Sequence, residues 1–174
     1  MSDQLSIKEA RYQGMVLIKS WLDSVKKADV IIANYLGVDA LPEIGGFIFQ
    51  NDIYCAALSP GHYMMFADNE LLCSEILNLF SADIASVVDI SHSRCGIRLK
   101  GKYSDCLLNK GIAVNLHDDA LPEMSVVQSS IHSIGVILFK MSHDDYLVFC
   151  YSSYKTRFYE WVIDSAKEYG YALK

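Results

Sequence analysis

The chain twice places a short apolar run, a polar turn and an amphipathic helix in the same order, at residues 62–80 and 146–169. The first helix carries apolar residues on one face: Leu72, Ile76, Leu79 and Phe80. The second begins at a capping serine, Ser152 or Ser153, and ends at Gly170. The two segments share this order of elements but no detectable residue identity. The sequence therefore predicts a weak structural repeat in an α+β fold.

Short strands fill most of the chain after Gly45. GGFIFQNDIYCAAL predicts two strands that are joined at residues 50–52, because aromatic and β-branched residues flank a polar break. Residues 94–100 alternate between polar and apolar side chains, as a half-buried strand does. KYSDCLLNKG predicts a short helix with Gly111 as a left-handed cap. SVVQSSIHSIGVILFKM and DYLVFCY predict three more strands.

Residues 1–44 lack a sustained hydrophobic period and end near Pro42. We interpret this segment as an irregular N-terminal arm that packs on the body of the protein. Residues 45–174 are then one domain, a size that allows a single hydrophobic core.

Charge and composition exclude several classes of protein. The formal net charge is −6 and no stripe of Lys or Arg is visible, which argues against binding to nucleic acid. The N-terminus MSDQLSIKEARYQG lacks the basic start and apolar core of a signal peptide. No apolar stretch approaches the roughly 18 residues that cross a bilayer. The sequence therefore predicts a soluble protein that does not bind membranes.

The chain has five cysteines, and none of them forms a CxxC pair. Each cysteine stands in apolar sequence, which is typical of small core residues in a reducing cytosol. This pattern predicts a cytoplasmic protein without disulfides or zinc.

Asp89, Ser91 and His92 have the residue types of a hydrolytic triad. In an extended strand, however, neighbouring side chains point to opposite faces, so Ser91 and His92 diverge. No glycine-rich elbow supplies oxyanion donors beside them. We therefore expect Asp89 and Ser91 to bond to backbone groups where the chain enters the strand.

The segments 117–119 and 143–145 both read His-Asp-Asp and offer donors that metals accept. Adjacent residues rarely reach one ion together, and no HxxxH pattern accompanies them. We interpret both segments as solvated turns and predict no metal site. Ser59-Pro60-Gly61 is likewise a turn, because it lacks the further glycines of a phosphate loop.

The stretch VVDISHSRCGIRLKGKYSDCLLNKG resembles the first-domain signature of the glycine-cleavage T-protein superfamily, the GcvT-like aminomethyltransferases. The following residues, from GIAVNLHDDALPEMSVVQSS to WVIDSAKEYG, are similar to the gamma subunit of heterotetrameric sarcosine oxidase. The resemblance spans about residues 58–172.

The resemblance implies a T-protein-like fold of antiparallel sheets with packed helices. It also implies a cofactor-free subunit of a flavoenzyme that oxidises N-methylglycine, with alpha, beta and delta subunits as partners. FAD, FMN, NAD and tetrahydrofolate are then expected in those partners, and the isolated chain is expected to self-associate. A vestigial folate pocket is implied at Asp89, Ser91, His92 and Arg94.

One departure from the T-protein pattern decides between two functions. T-protein relatives with transferase activity carry aspartates at a hairpin, where a carboxylate serves folate chemistry as a base. Here the hairpin SSIHSIGVILF has Gly135 and no acid, and His132 alone is weak evidence for a base. We therefore predict a structural subunit with little or no activity of its own and no catalytic residue. The alternative is a free-standing, tetrahydrofolate-binding relative of the aminomethyltransferases.

Overall fold

The computed structural model describes residues 5–173 and contains eleven strands and four α-helices within that range. In chain order, the strands are β1 Ser6–Ala10, β2 Gly14–Ser20, β3 Phe47–Gln50, β4 Ile53–Ser59, β5 His62–Ala67, β6 Ala85–Asp89, β7 Arg94–Lys100, β8 Ser125–Ile131, β9 Ile134–Ser142, β10 Asp145–Tyr151 and β11 Ala172–Leu173. The helices are α1 Val25–Leu36, α2 Leu72–Leu79, α3 Ser104–Asn109 and α4 Lys155–Ala166.

The described residues form two units, which we call the inner unit and the outer unit. The inner unit is Tyr12–Ser91, and the outer unit contains the described residues 5–11 and 92–173. The two names refer only to the order along the chain. Each unit has one sheet and its own hydrophobic core. No helix among residues 5–173 is both long and apolar enough to cross a lipid bilayer.

The inner unit has a five-stranded antiparallel sheet in the order β3-β4-β5-β2-β6. Helix α1 buries Ala28, Ile32 and Leu36, which recur every four residues and therefore share one face. The helix ends at Gly37, whose φ of 69° is left-handed. The turn between β3 and β4 consists of Asn51 and Asp52 with φ of 51° and 62°. Asn and Asp tolerate this geometry, and the predicted hairpin is confirmed.

The outer unit has a six-stranded sheet in the order β11-β1-β7-β10-β9-β8. Strand β1 lies between β7 and β11, and it pairs antiparallel with β7 and parallel with β11. The buried residues of α4 are Phe158, Val162, Ser165 and Ala166, which repeat at helical spacing and contribute to the core of this unit.

Both units repeat one order of elements, which confirms the repeat that the sequence predicted. The inner unit runs β2-α1-β3-β4-β5-α2-β6, and the outer unit runs β7-α3-β8-β9-β10-α4-β11. The corresponding strands also occupy corresponding places in the two sheets, except that β1 is inserted in the outer sheet. The two strand-turn-helix segments of the sequence are β5-α2 and β10-α4.

The irregular arm predicted for residues 1–44 is wrong in its local structure for residues 5–44, which contain β1, β2 and α1, and its first four residues lie outside the described range. Strand β2 buries one face, but Met15 and Leu17 on its other face are also apolar, so its sequence shows no alternation. The exposed Val30 and the partly buried Ile31 obscure the buried face of α1. The domain boundary predicted after residue 44 stays a prediction.

Two capping predictions are also wrong. Gly111 is not left-handed and follows α3 by two residues. A Cβ built on Gly111 would lie 2.7 Å from Cζ2 of Trp161, so close packing requires glycine at this position. The Ser152 hydroxyl donates to the backbone O of His92 at 2.8 Å and does not cap α4.

Candidate functional site

Asp89 and Ser91 form a small hydrogen-bonded cluster at the end of β6. Oδ1 of Asp89 accepts from the backbone N of Ser91 at 2.9 Å and from its Oγ at 2.6 Å. The Oγ of Ser91 accepts from the backbone N of Met15 at 2.9 Å. These bonds tie the end of β6 to β2, so the predicted backbone bonding is confirmed and the hydroxyl has a structural role.

Cys73 is the remaining nucleophilic side chain in this cluster. Its Sγ lies 3.3 Å from the carbonyl oxygen of Met15 and 3.4 Å from Oγ of Ser91. Burial raises the pKa of the Cys73 thiol, and the nearby Asp89 carboxylate raises it further. The thiol therefore stays protonated at neutral pH and is a weak nucleophile.

The other two residues of the predicted folate pocket belong to the outer unit. The side chain of His92 is exposed, and its backbone carbonyl accepts from Ser152. The Arg94 guanidinium lies 3.7 Å from the centre of the Tyr151 ring, directly across the β7-β10 pair. Nε of Arg94 is buried and has no hydrogen-bond acceptor among the described residues. The four residues thus divide between Asp89–Ser91 in one unit and His92 and Arg94 in the other.

A cavity of about 570 Å³ opens in the inner unit, at a place that sequence reasoning missed. Its lining combines aromatic rings with carboxylates and amides: Tyr12, Phe49, Asn51, Asp52, Ile53, Tyr54, Ala67, Asp68 and Asn69. The Tyr54 ring centre lies 4.4 Å from that of Phe49 and 4.7 Å from that of the buried Phe66. Such a wall can hold a flat group or a cation. The lining comes from separate segments of the chain, so no local motif identified it.

A smaller cavity of about 300 Å³ in the outer unit brings the two His-Asp-Asp segments together. Nδ1 of His143 lies 3.2 Å from Oδ2 of Asp118. The side chains of His117 and His143 are 72% and 71% exposed, in agreement with solvated turns. No group of three or more His, Cys, Asp and Glu side chains in residues 5–173 could hold a metal ion.

The prediction of a solvated turn is wrong for Asp145, whose side chain is 4% exposed at the start of β10. The guanidinium of Arg98 donates to its two carboxylate oxygens at 2.8 and 2.9 Å, and Nζ of Lys100 lies at 3.1 Å. Burial alone would raise the pKa of Asp145, but the bonds from Arg98 and Lys100 lower it below its usual value.

Lys140 is a buried cation that contacts two lining residues of the smaller cavity, and no sequence pattern indicated it. Its side chain is 1% exposed on β9. Nζ donates to the backbone O of Leu116 at 2.7 Å and to Oδ1 of Asp118 at 2.6 Å. The bond from Lys140 lowers the pKa of Asp118. These bonds fix the loop 116–118 against the sheet, so the buried Lys140 ammonium has a structural role.

Neither a protein-family model nor a curated protein matches the chain. Among solved structures, it is similar to a chain of the heterotetrameric sarcosine oxidase from Corynebacterium sp. U-96 in complex with pyrrole 2-carboxylate. The TM-score is 0.84 at 19% identity, and the alignment covers 99% of this chain and 89% of that chain.

The chain is also similar to glycine cleavage system aminomethyltransferase T from Bartonella henselae, with a TM-score of 0.70 and 13% identity. That alignment covers 92% of this chain and 46% of the aminomethyltransferase, so the chain spans about half of that protein. Both likenesses show that the fold is T-protein-like. They confirm the α+β fold of antiparallel sheets and packed helices that the resemblance implied.

Proposed function

We propose that this chain is a non-catalytic structural subunit of a heterotetrameric, flavin-dependent oxidase of sarcosine or a related N-methyl amino acid, acting in one-carbon catabolism. One observation carries the proposal. The fold matches one chain of a heterotetrameric sarcosine oxidase over nearly the full length of both chains, whereas it matches less than half of the aminomethyltransferase.

The hairpin between β8 and β9 supports a non-catalytic role. Its turn is His132 and Ser133, and no Asp or Glu occurs between Ser125 and Ser142. The ring of His132 packs edge-on against Trp161 with 5.7 Å between the ring centres. A folate base at this turn would need a carboxylate, and the imidazole that is present has a packing partner instead.

Exposed apolar side chains supply a surface for partner subunits. Thirteen large apolar or aromatic side chains are exposed among the described residues, and nine of them lie in the inner unit: Trp21, Leu22, Val30, Ile44, Phe49, Leu71, Leu77, Leu79 and Val88. Nε1 of Trp21 donates to the backbone O of Ala82 at 2.8 Å, which holds the indole beside the segment that follows α2. Exposed apolar side chains are typical of a subunit contact where they form one contiguous patch.

The same proposal assigns the cofactors. FAD, FMN, NAD and tetrahydrofolate belong to the alpha, beta and delta partners, and this chain holds none of them. The assembly is cytoplasmic. The subunit contributes buried contact area rather than reacting groups, so the purified chain has little or no activity alone.

The test is capture of a flavoprotein by the tagged chain from native lysate, followed by measurement of flavin absorbance and sarcosine-dependent oxygen consumption. We expect a yellow, active complex. The double variant Leu77→Gln with Leu79→Gln removes apolar surface from α2 and should lower the yield of captured flavin. Asn78→Gln changes an exposed residue of the same helix without removing apolar surface, and it should keep the yield.

Two outcomes would contradict the proposal. The first is capture of no flavin-containing partner by the unmodified chain. The second is a purified chain that forms methylene-tetrahydrofolate by itself, which would favour the aminomethyltransferase-like alternative. A folate binder would also gain thermal stability with tetrahydrofolate, by about 2.7 kcal/mol at a hundredfold excess over the dissociation constant.

A further inference from the structure

Two thiols meet in the sheet of the outer unit. Cys95 on β7 and Cys150 on β10 are directly opposite in the antiparallel register, and their Sγ atoms are 3.3 Å apart. Directly opposite residues of an antiparallel pair have Cα atoms about 4.5 or 5.5 Å apart. Disulfides span Cα distances of about 4.4 to 6.8 Å, so the backbone already has the spacing that a bridge needs.

The two thiols differ in access to solvent. Cys150 is fully buried, whereas Cys95 is partly exposed at the edge of the core. A reagent in solution therefore reaches Cys95 first, and Cys150 stands behind it as a second thiol. This is the arrangement of an attacking cysteine with its resolving partner.

The surroundings favour the thiolate at Cys95. The hydrogen bond from Cys150 lowers the pKa of Cys95 despite its burial, and the ammonium of Lys155 lowers it further, against a smaller opposing effect of the Glu9 carboxylate. The hydrogen bond to Cys95 raises the pKa of Cys150, so the buried thiol keeps its proton. Nζ of Lys155 is held in place by Oε1 of Glu9 at 2.6 Å. A thiolate beside a fixed cation is the reactive form of cysteine.

We propose that Cys95 and Cys150 are a reversible dithiol-disulfide site that a hydroperoxide oxidises. The Cys95 thiolate attacks the peroxide O–O bond, forms a sulfenic acid and releases water or an alcohol. The Cys150 thiol then displaces the sulfenic oxygen as a second water, and the S–S bond forms. Each cycle reduces one hydroperoxide by two electrons and oxidises two thiols, and a small dithiol restores them.

The other three cysteines define the expected selectivity. Burial raises the pKa of Cys55 to about 12, and it also raises the pKa of Cys73. Cys106 is exposed on α3, but burial and the Asp105 carboxylate raise its pKa. Lone thiols of this kind react slowly, so the pair 95–150 should oxidise first. This inference does not depend on the proposed function.

In the experiment, the reduced, full-length chain is treated with a small excess of hydrogen peroxide and the remaining thiols are blocked. Mass spectrometry then measures the mass of the intact chain and identifies its cross-linked peptides. We expect the number of free thiols to fall from five to three, with loss of two hydrogens. One cross-linked peptide pair should contain Cys95 and Cys150, and dithiothreitol should restore all thiols. The bridge joins two central strands, so oxidation should raise the temperature of unfolding.

Three variants sharpen the result. Cys95→Ser should keep its remaining thiols at the same peroxide dose. Cys150→Ser should stop at a sulfenic acid on residue 95, which dimedone traps. Cys106→Ser is the matched control and should still lose two thiols. Two results with the unmodified chain would each overturn the proposal. They are preferential oxidation of Cys106, and free thiols at 95 and 150 when Cys106 is already oxidised.

Discussion

Single residues explain how this chain accommodates buried charge. Asp145 is nearly inaccessible to solvent, yet Arg98 and Lys100 supply three short contacts to its carboxylate. Its neighbour Asp144 takes the left-handed turn, with φ of 57°. The sequence shows the two aspartates as equivalent, because the difference between them arises only when β10 pairs with β7.

Replacement of Asp145 by alanine should destabilise the chain. The change leaves two cations beside a buried position, and we expect the free energy of unfolding to fall by about 2 kcal/mol. This value lies below that of a fully buried pair because Arg98 and Lys100 reach solvent. Urea denaturation measures it. Asp119→Ala in an exposed turn is the control, and equal midpoints for both variants would contradict the argument.

The Glu9 carboxylate should make stability depend on acid pH. Bonds from Arg11 and Lys155 lower its pKa from 4.5 to about 2. A pKa that is lower in the folded state stabilises the fold above pH 4.5, and this contribution is lost as the pH falls towards 2. In that range, urea midpoints of the unmodified chain should fall more steeply than those of Glu9→Gln. The exposed Glu160→Gln should keep the original slope.

At the scale of helices and strands, close packing decides where glycine is needed. Gly111 follows α3 and faces the Trp161 ring of α4, whereas a Cβ built on Gly135 of β9 would have no neighbouring atom within 4 Å. Neither residue has a positive φ. The two positions therefore differ in the space available for a side chain, although both have a backbone conformation that other residues can adopt.

Gly111→Ala and Gly135→Ala form a matched pair of substitutions. Alanine at 111 would place Cβ 2.7 Å from Cζ2 of Trp161, and we expect a loss of about 1–3 kcal/mol from overpacking. Alanine at 135 removes the entropic cost of glycine in a strand and should be neutral or stabilising by about 0.5–1 kcal/mol. Thermal unfolding of both variants tests this difference, and a loss at 135 as large as that at 111 would contradict it.

Elements with a local signal were predicted, and elements that depend on distant contacts were not. The strand at 94–100 alternates and the turn at Asn51 and Asp52 has residues that tolerate a positive φ, so both were found. Strand β2 carries apolar residues on its partly exposed face as well as on its buried face, so its sequence does not alternate and it was missed. The bonds between Asp89 and Ser91 are local and were anticipated, whereas the bond from Met15 to Ser91 joins residues that are far apart in the sequence. The lining of the larger cavity joins Tyr12 to residues 49–54 and 67–69, a grouping that only the fold creates.

At the scale of the whole molecule, exposed apolar area is unequally distributed. The inner unit carries most of the exposed large apolar side chains, including Leu22 at 93% and Ile44 at 62% exposure. A chain with such a surface is expected to associate with partners or with itself.

The isolated chain should therefore self-associate as its concentration rises. Light scattering coupled to size-exclusion chromatography should show a mass above that of one 19.5 kDa chain. The double variant Leu77→Gln with Leu79→Gln should shift the population towards the monomer because it removes apolar contact area. Asn78→Gln should leave the distribution unchanged. A monomer at every concentration would show that the exposed side chains do not drive association.

The insertion of β1 between β7 and β11 has a consequence for biosynthesis. During translation, β1 leaves the ribosome long before β7 and β11, so it stays unpaired until both of these strands have been synthesised. The contiguous residues Tyr12–Ser91 can fold during this time. Pairing of strands so far apart in the sequence is slow, since a long loop must close first. Strand β1 therefore exposes unpaired backbone groups during translation, and we expect chaperones that bind extended segments to bind it at this stage.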